Sequence, residues 1–185
     1  MNSRTRARTL NAILTWATLF TLPACTSNGW HRNQSLPDPT PEQQVAATLD
    51  AFHDAAARAD EALYFDLLAD DAVFLGTDPA ERWPKPDFQA WAAPYFGRDS
   101  AWTYHAIERH IALSPRGDVA WFDEVVRNDT YGDLRGTGVL VRDARAPRGS
   151  VSRAWRIAQY NLTFMVPNDV APRYLELVGT PDTPR

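Results

Sequence analysis

Val119-Ala120-Trp121-Phe122-Asp123-Glu124-Val125-Val126-Arg127-Asn128 is the stretch whose reading decides the fold. It alternates with period two and is closed by the turn-forming run Asp129 to Asp133, so it reads as one long strand. Side chains of an extended chain point to opposite faces in turn, which puts Trp121, Asp123, Val125 and Arg127 on one face and Glu124 on the other. Upstream, Trp102 to Leu113 reads as a second strand, closed by Ser114-Pro115-Arg116-Gly117-Asp118. Downstream, Leu134 to Asp143 and Val151 to Met165 complete a set of four. Long strands joined by short turns make an antiparallel meander.

The residues before this set carry helical signals. Thr40-Pro41-Glu42-Gln43 combines a capping threonine, a proline at the first helical position and a glutamine three residues after the cap. Val45, Leu49, Phe52 and Ala56 follow at helical spacing and define a first helix ending near Ala59. Asp60 caps a short second helix through Tyr64, Phe65, Leu67 and Leu68. Ala72-Val73-Phe74-Leu75 is too short for a helix and stops at Gly76, so it reads as a strand. Thr77 to Lys85, punctuated by Pro79 and Pro84, reads as a loop that either lids the domain or turns the chain. A third helix begins at Pro86 or Asp87, sets Phe88, Trp91 and Tyr95 on one side and ends at Gly97.

Helices first and strands afterwards define an α+β domain. The expected architecture is a cone-shaped barrel: three N-terminal helices packed on a strongly curved antiparallel sheet.

Arg4, Arg6 and Arg8, with no acid among them, precede the largely apolar run Leu10 to Ala24, which is the pattern of an export signal. The run ends at Leu22-Pro23-Ala24-Cys25, which resembles the bacterial lipobox except at Pro23. That resemblance implies a signal peptide over residues 1–24, lipidation of Cys25 and tethering to a membrane, with Thr26 after the cysteine implying the periplasmic side of the outer membrane. An ordinary cleavage after Ala24 is the other reading. Residues 25–40 are polar and proline-punctuated, a tether spanning on the order of 20 Å. The domain then occupies residues 41–168, and residues 169–185 form an extension. Cys25 is the single cysteine, so the domain has no internal disulfide. Removal of the signal leaves 16 basic against 23 acidic side chains. An acidic domain repels polyphosphate, which argues against nucleic acid as a partner.

Four strings then become informative in their order: Phe74-Leu75-Gly76-Thr77-Asp78-Pro79-Ala80-Glu81-Arg82-Trp83; Ala120-Trp121-Phe122-Asp123-Glu124; Arg135-Gly136-Thr137-Gly138-Val139-Leu140; and Trp155-Arg156-Ile157 leading to Tyr160-Asn161-Leu162-Thr163. Over about residues 42–168 the chain resembles the SnoaL-like branch of the nuclear transport factor 2-like superfamily. The resemblance implies the cone fold, also called cystatin-like. It does not fix an activity, because that superfamily holds isomerases, cyclases, dehydratases, epoxide hydrolases and non-catalytic domains. A ketosteroid isomerase-like triad does not align onto this sequence.

Candidate site residues follow from the strand faces. If Trp121 and Asp123, and on the last strand Gln159 and Asn161, point into the cone, a carboxylate sits among aromatic rings. Desolvation would raise its pKa and suit it to general acid or base work. Alternatively Asp123 forms a structural ion pair with Arg127, Arg135 or Arg109. Gln159, Asn161 and Thr137 either present polar groups to a ligand or satisfy one another. Tyr64, Trp83, Trp91, Tyr95 and Trp121 either wall an apolar pocket or form plain core. Gly136 and Gly138 bend the sheet or admit a close neighbour.

The histidines His31, His53, His105 and His110 lack metal-ligand spacing, so no metal is expected. Nucleophile elbows and phosphate loops are also missing, and no cofactor is expected. The leading expectation is a membrane-tethered domain that binds a small apolar or amphipathic molecule. The alternatives are a cofactor-free isomerase, dehydratase or cyclase using Asp123, and a homodimeric interaction module.

Overall fold

The structure, a computed structural model, describes residues 38–143 and 155–179. The expected signal peptide over residues 1–24, Cys25 and most of the expected tether lie outside the described residues, as does the start of the last predicted strand.

Helix α1 spans Pro41–Ala57. Its capping box forms as the sequence predicts: the Gln43 N–H donates to Thr40 Oγ1 at 3.3 Å, and Thr40 N–H donates to Gln43 Oε1 at 2.8 Å. The helix buries Val45, Leu49, Phe52 and Ala56 and stops two residues earlier than expected, because Ala59 adopts φ 53° and turns the chain. Asp60 caps α2, Glu61–Asp66, accepting from the Leu63 N–H at 3.0 Å.

Strand β1 runs Leu68–Leu75, four residues longer at its start than the apolar run suggested. The predicted loop contains a short strand, β2, at Arg82–Pro84, which closes a hairpin on β1. Glu81 and Asp78 fold the turn between them: Gly76 N–H donates to the Glu81 carbonyl and Asp78 N–H to the Glu81 carboxylate. The chain is thus turned here by local hydrogen bonds. Helix α3 spans Lys85–Phe96.

The meander follows as β3 His105–Leu113, β4 Val119–Asn128, β5 Gly132–Arg142 and β6 Trp155–Phe164. The sheet order is β2-β1-β6-β5-β4-β3. Its four long strands pair antiparallel as predicted, but β1 joins β6 in parallel, so the whole curved sheet is mixed. Trp102 lies outside β3 and packs edge-on against Tyr64 and Phe96.

The buried face of β4 carries Ala120, Phe122, Glu124 and Val126, while Trp121 is 50% exposed. The expectation that Trp121 and Asp123 face into the cone is therefore overturned. Both faces of β4 offer three apolar side chains, so alternation alone does not choose between them.

On β6 the cause of the wrong face is a bulge. Leu140 pairs with Ile157 and Val139 with Gln159, which leaves Ala158 as an extra residue. Trp155 and Ile157 therefore share the inner side with Tyr160 and Leu162, and Gln159, Asn161 and Thr163 are turned outward.

The core lies between this inner face and α1 to α3, around Leu49, Tyr64, Phe88, Leu134, Leu140 and Trp155. Residues 171–178 of the extension form a helix, α4, which buries no side chain and leaves Tyr174, Leu175, Leu177 and Val178 exposed. Among the described residues no helix is long and apolar enough to cross a membrane.

Candidate functional site

Two features lie on the inner side of the sheet: a saturated charge cluster and an aromatic cleft. The cluster centres on Glu124, which is 1% exposed. Its Oε1 meets His53 Nε2 at 2.8 Å and accepts from the Tyr160 hydroxyl at 2.9 Å, and its Oε2 accepts from Arg109 Nε at 2.7 Å. Arg109 continues to helix α1, donating to the Ala46 carbonyl and to Asp50. Register explains the first pairing, since Arg109 and Glu124 are direct cross-strand neighbours on β3 and β4.

Burial by itself would raise the Glu124 carboxyl, but His53 and Arg109 outweigh it and hold the group below its usual range. The Tyr160 hydroxyl is pushed well up, first by burial and then by the Glu124 charge. Gly136 makes room for this pair: a Cβ there would lie 2.6 Å from the Tyr160 hydroxyl and 2.9 Å from Glu124 Cγ. With both oxygens engaged, Glu124 ties α1 to the sheet and is not a free acid or base.

The cleft is an open concavity of about 410 Å³. Phe74 on β1, Phe88, Trp91 and Tyr95 on α3, and Trp102 and Tyr104 before β3 supply its rings. Tyr131 and Leu162 complete its apolar lining, and Thr77, Glu81 and Arg98 supply the polar groups. The rings brace one another: Phe74 stacks on Phe88 with centroids 4.1 Å apart, and Trp91 lies 4.9 Å from Tyr95. The Arg98 guanidinium sits 4.7 Å over the Tyr95 ring.

Deeper in, Phe52, His53, Tyr64 and Tyr160 leave a residual void of only about 10 Å³, and it shares Phe74, Trp102, Tyr104 and Leu162 with the cleft. The middle of the cone is thus packed, and the usable space lies at its mouth.

Of the residues singled out from sequence, Trp91 and Tyr95 line the cleft, and Tyr64 lines the inner void. Trp83 is half-buried and stacks behind Trp91 at 6.0 Å. Trp121, Asp123, Thr137, Gln159 and Asn161 do come together, but on the outer face of the sheet. Asp123 pairs in register with His110 and Thr137, Thr137 with Asn161, and Val139 with Gln159. Asn161 Nδ2 approaches Thr137 Oγ1 at 3.5 Å. The ion pairs proposed for Asp123 do not form among the described residues: Arg109 holds Glu124 and Asp50, and Arg127 holds Asp133. Arg135 points to Met165.

Sequence reasoning missed Phe74, Phe88, Trp102 and Tyr104 as cleft residues and Glu124, His53 and Arg109 as a cluster. A usable signal for the cluster existed in the charge match of Arg109 and Glu124 across one hairpin. For Trp102 the alternating pattern misled, because it extends three residues beyond the true strand start. Among the described residues no set of His, Cys, Asp and Glu is placed to hold a metal ion.

A helix-covered, curved six-stranded sheet with an aromatic mouth defines an α+β cone of the nuclear transport factor 2-like and cystatin-like class. The profile of the SnoaL-like domain matches residues 45–167, and the chain belongs to that family. Solved structures agree on the fold. A nuclear transport factor 2-like protein of unknown function from Pseudomonas putida is 14% identical with a TM-score of 0.55, covering 70% of this chain and 89% of its own. A cystatin-like domain of unknown function from Nostoc punctiforme is 12% identical with a TM-score of 0.55, over 78% of this chain and 90% of its own. A candidate ketosteroid isomerase from Parabacteroides distasonis is 13% identical with a TM-score of 0.52, over 73% and 95%. At these identities the likeness is one of fold. No curated protein matches the chain.

Proposed function

We propose that this domain binds a small, flat, apolar or amphipathic molecule in the cleft at the mouth of the cone. The observation that carries the reading is the braced aromatic lining around about 410 Å³ of open space. That volume falls in the range of small-molecule sites, roughly 300–1,000 Å³. Rings that stack on one another are ordered before a ligand arrives, so little side-chain entropy is lost on binding. Arg98 and Glu81 at the cleft give an amphipathic ligand polar contacts at its outer end.

Catalysis by Asp123 is not carried forward, because its carboxylate lies on the opposite face of the sheet from the cleft. Location remains as the sequence suggests: the domain is exported, lipidated at Cys25 and held at the periplasmic side of the outer membrane.

A thermal-shift panel of fused-ring aromatics and polyketide-sized ketones tests the binding reading. Stabilisation by several members, lost in Trp91→Ala, is the expected result; a panel with no effect on the melting temperature overturns it. Metabolic labelling with a radiolabelled fatty acid tests the anchor, which Cys25→Ser abolishes if the cysteine is acylated.

A further inference from the structure

A second space lies beside α1. It is a groove of about 260 Å³ between Asp50, His53, Asp54 and Ala57 on that helix and Tyr104 and Ala106 at the start of β3. The α1 positions follow at i, i+3, i+4 and i+7, so they share one face of the helix. The short side chains of Ala57 and Ala106 leave the room, and the Tyr104 ring gives the groove an apolar wall.

His53 sets this groove apart from an ordinary acidic surface. It is 9% exposed, and its Nε2 is engaged with Glu124 Oε1 at 2.8 Å. Burial works against the charge on Glu124, but His53 and Arg109 outweigh it and keep that carboxyl below its usual range, so it is ionised and only accepts. His53 Nε2 therefore carries a proton, and in the neutral ring Nδ1 is left as a bare acceptor. Nδ1 has no partner among the described residues, yet it is not one of the sealed atoms that lack one, so it reaches solvent. The inner void that His53 also lines measures only about 10 Å³, so the groove is where a partner for Nδ1 fits.

Charge selects that partner. Asp50 and Asp54 each give one oxygen to an arginine, Arg109 and Arg58, and their other oxygens make no hydrogen bond among the described residues. With Glu124, three carboxylates stand against two guanidiniums, a net charge of −1. An anion is repelled, and among the described residues these groups form no metal-ligand set. Three acceptors under a net negative charge suit a cation that brings its own N–H donors.

We propose that this groove is a second binding site, taking a primary alkylammonium whose N–H groups donate to His53 Nδ1 and to the carboxylates of Asp50 and Asp54. Its short alkyl chain rests against Tyr104, Ala57 and Ala106. Glu124 acts here as a positioning residue, fixing the ring so that Nδ1 is the nitrogen on offer.

The test titrates n-butylammonium, with n-butanol as the uncharged control, into the full chain at constant ionic strength and about pH 8, where a free imidazole is neutral. Heteronuclear NMR follows the histidine ring nitrogens, with His53 assigned from His53→Gln. Butylammonium moves the His53 Nδ1 resonance upfield, as happens when a bare ring nitrogen accepts a hydrogen bond, and this readout on the wild type needs no variant to fold. The amine binds roughly threefold to tenfold more tightly than the alcohol. Asp54→Asn, at an exposed position, weakens the amine roughly threefold and leaves the alcohol unchanged. An unmoved Nδ1 resonance, equal affinities for amine and alcohol, or an Asp54→Asn variant that binds the amine as tightly as the wild type each overturns the ammonium site, whatever the aromatic cleft binds.

Discussion

The Tyr160 hydroxyl donates to Glu124 Oε1 at 2.9 Å across the inner face of β4, β5 and β6. Gly136 lies between the two strands that carry them, and its missing side chain leaves the gap through which they meet. The same carboxylate reaches His53 on α1 and Arg109 on β3, so one buried charge joins a helix to three strands.

Removing that charge is costly because its partners stay buried. Glu124→Gln keeps the shape but leaves the Arg109 guanidinium, 11% exposed, with only Asp50 as an anionic partner. The expected loss is about 3 kcal/mol, in the range for breaking a buried pair on one side. Urea unfolding of the two proteins measures it, and a loss below about 1 kcal/mol contradicts the role given to Glu124.

Acid should weaken the wild type through the same group. The Glu124 carboxyl is held below its usual value in the folded state, so its contribution is fully present above the unfolded value of about 4.3 and is lost as pH falls through the folded one. Unfolding midpoints measured from about pH 5 down to about pH 3 should drop more steeply for the wild type than for Glu124→Gln. Parallel curves would show that another carboxylate dominates.

Gly136→Ala tests the clearance directly. Its Cβ would sit 2.6 Å from the Tyr160 hydroxyl and 2.9 Å from Glu124 Cγ, forcing one or both to move. Destabilisation of about 1–3 kcal/mol is expected, as for other overpacked sites. In the combined variant with Tyr160→Phe the penalty should shrink, because the closest atom has gone; an unchanged penalty in a double-mutant cycle would locate the strain elsewhere.

Ligand binding and stability should separate at the cleft. Trp91 is 37% exposed and lines the concavity, so Trp91→Ala should weaken binding of 2-ethylnaphthalene at least several-fold while costing less than about 2 kcal/mol of stability. Fluorescence titration and urea unfolding on the same preparation decide this, and unchanged affinity would place the ligand away from α3.

Asp123→Asn is the matched control on the other side of the sheet. Asp123 lies outside the cleft and pairs in register with His110 and Thr137, so affinity should not change and stability should stay within about 0.5 kcal/mol. A loss of affinity on isothermal titration would bring the outer face back into the site.

The sequence by itself determined what depends on near neighbours. Thr40 and Gln43 cap α1 through bonds three residues apart, Asp60 caps α2 in the same way, and β4 begins and ends between its two turns as its alternation requires. The meander and the α+β class follow from that order. Only the tertiary structure decided which face of each strand is inside. On β4, Ala120, Phe122 and Val126 compete with Val119, Trp121 and Val125, and the choice falls to the side where Glu124 finds His53, Arg109 and Tyr160. On β6 the bulge at Ala158 reverses the face halfway along, a shift set by pairing with β5 and invisible in β6 alone. The cleft likewise gathers Phe74, Trp91, Trp102 and Tyr131 from segments far apart in the chain. Periodicity reports local geometry, whereas a site is made where distant segments meet, and burying a charge is permitted only where those segments supply its partners.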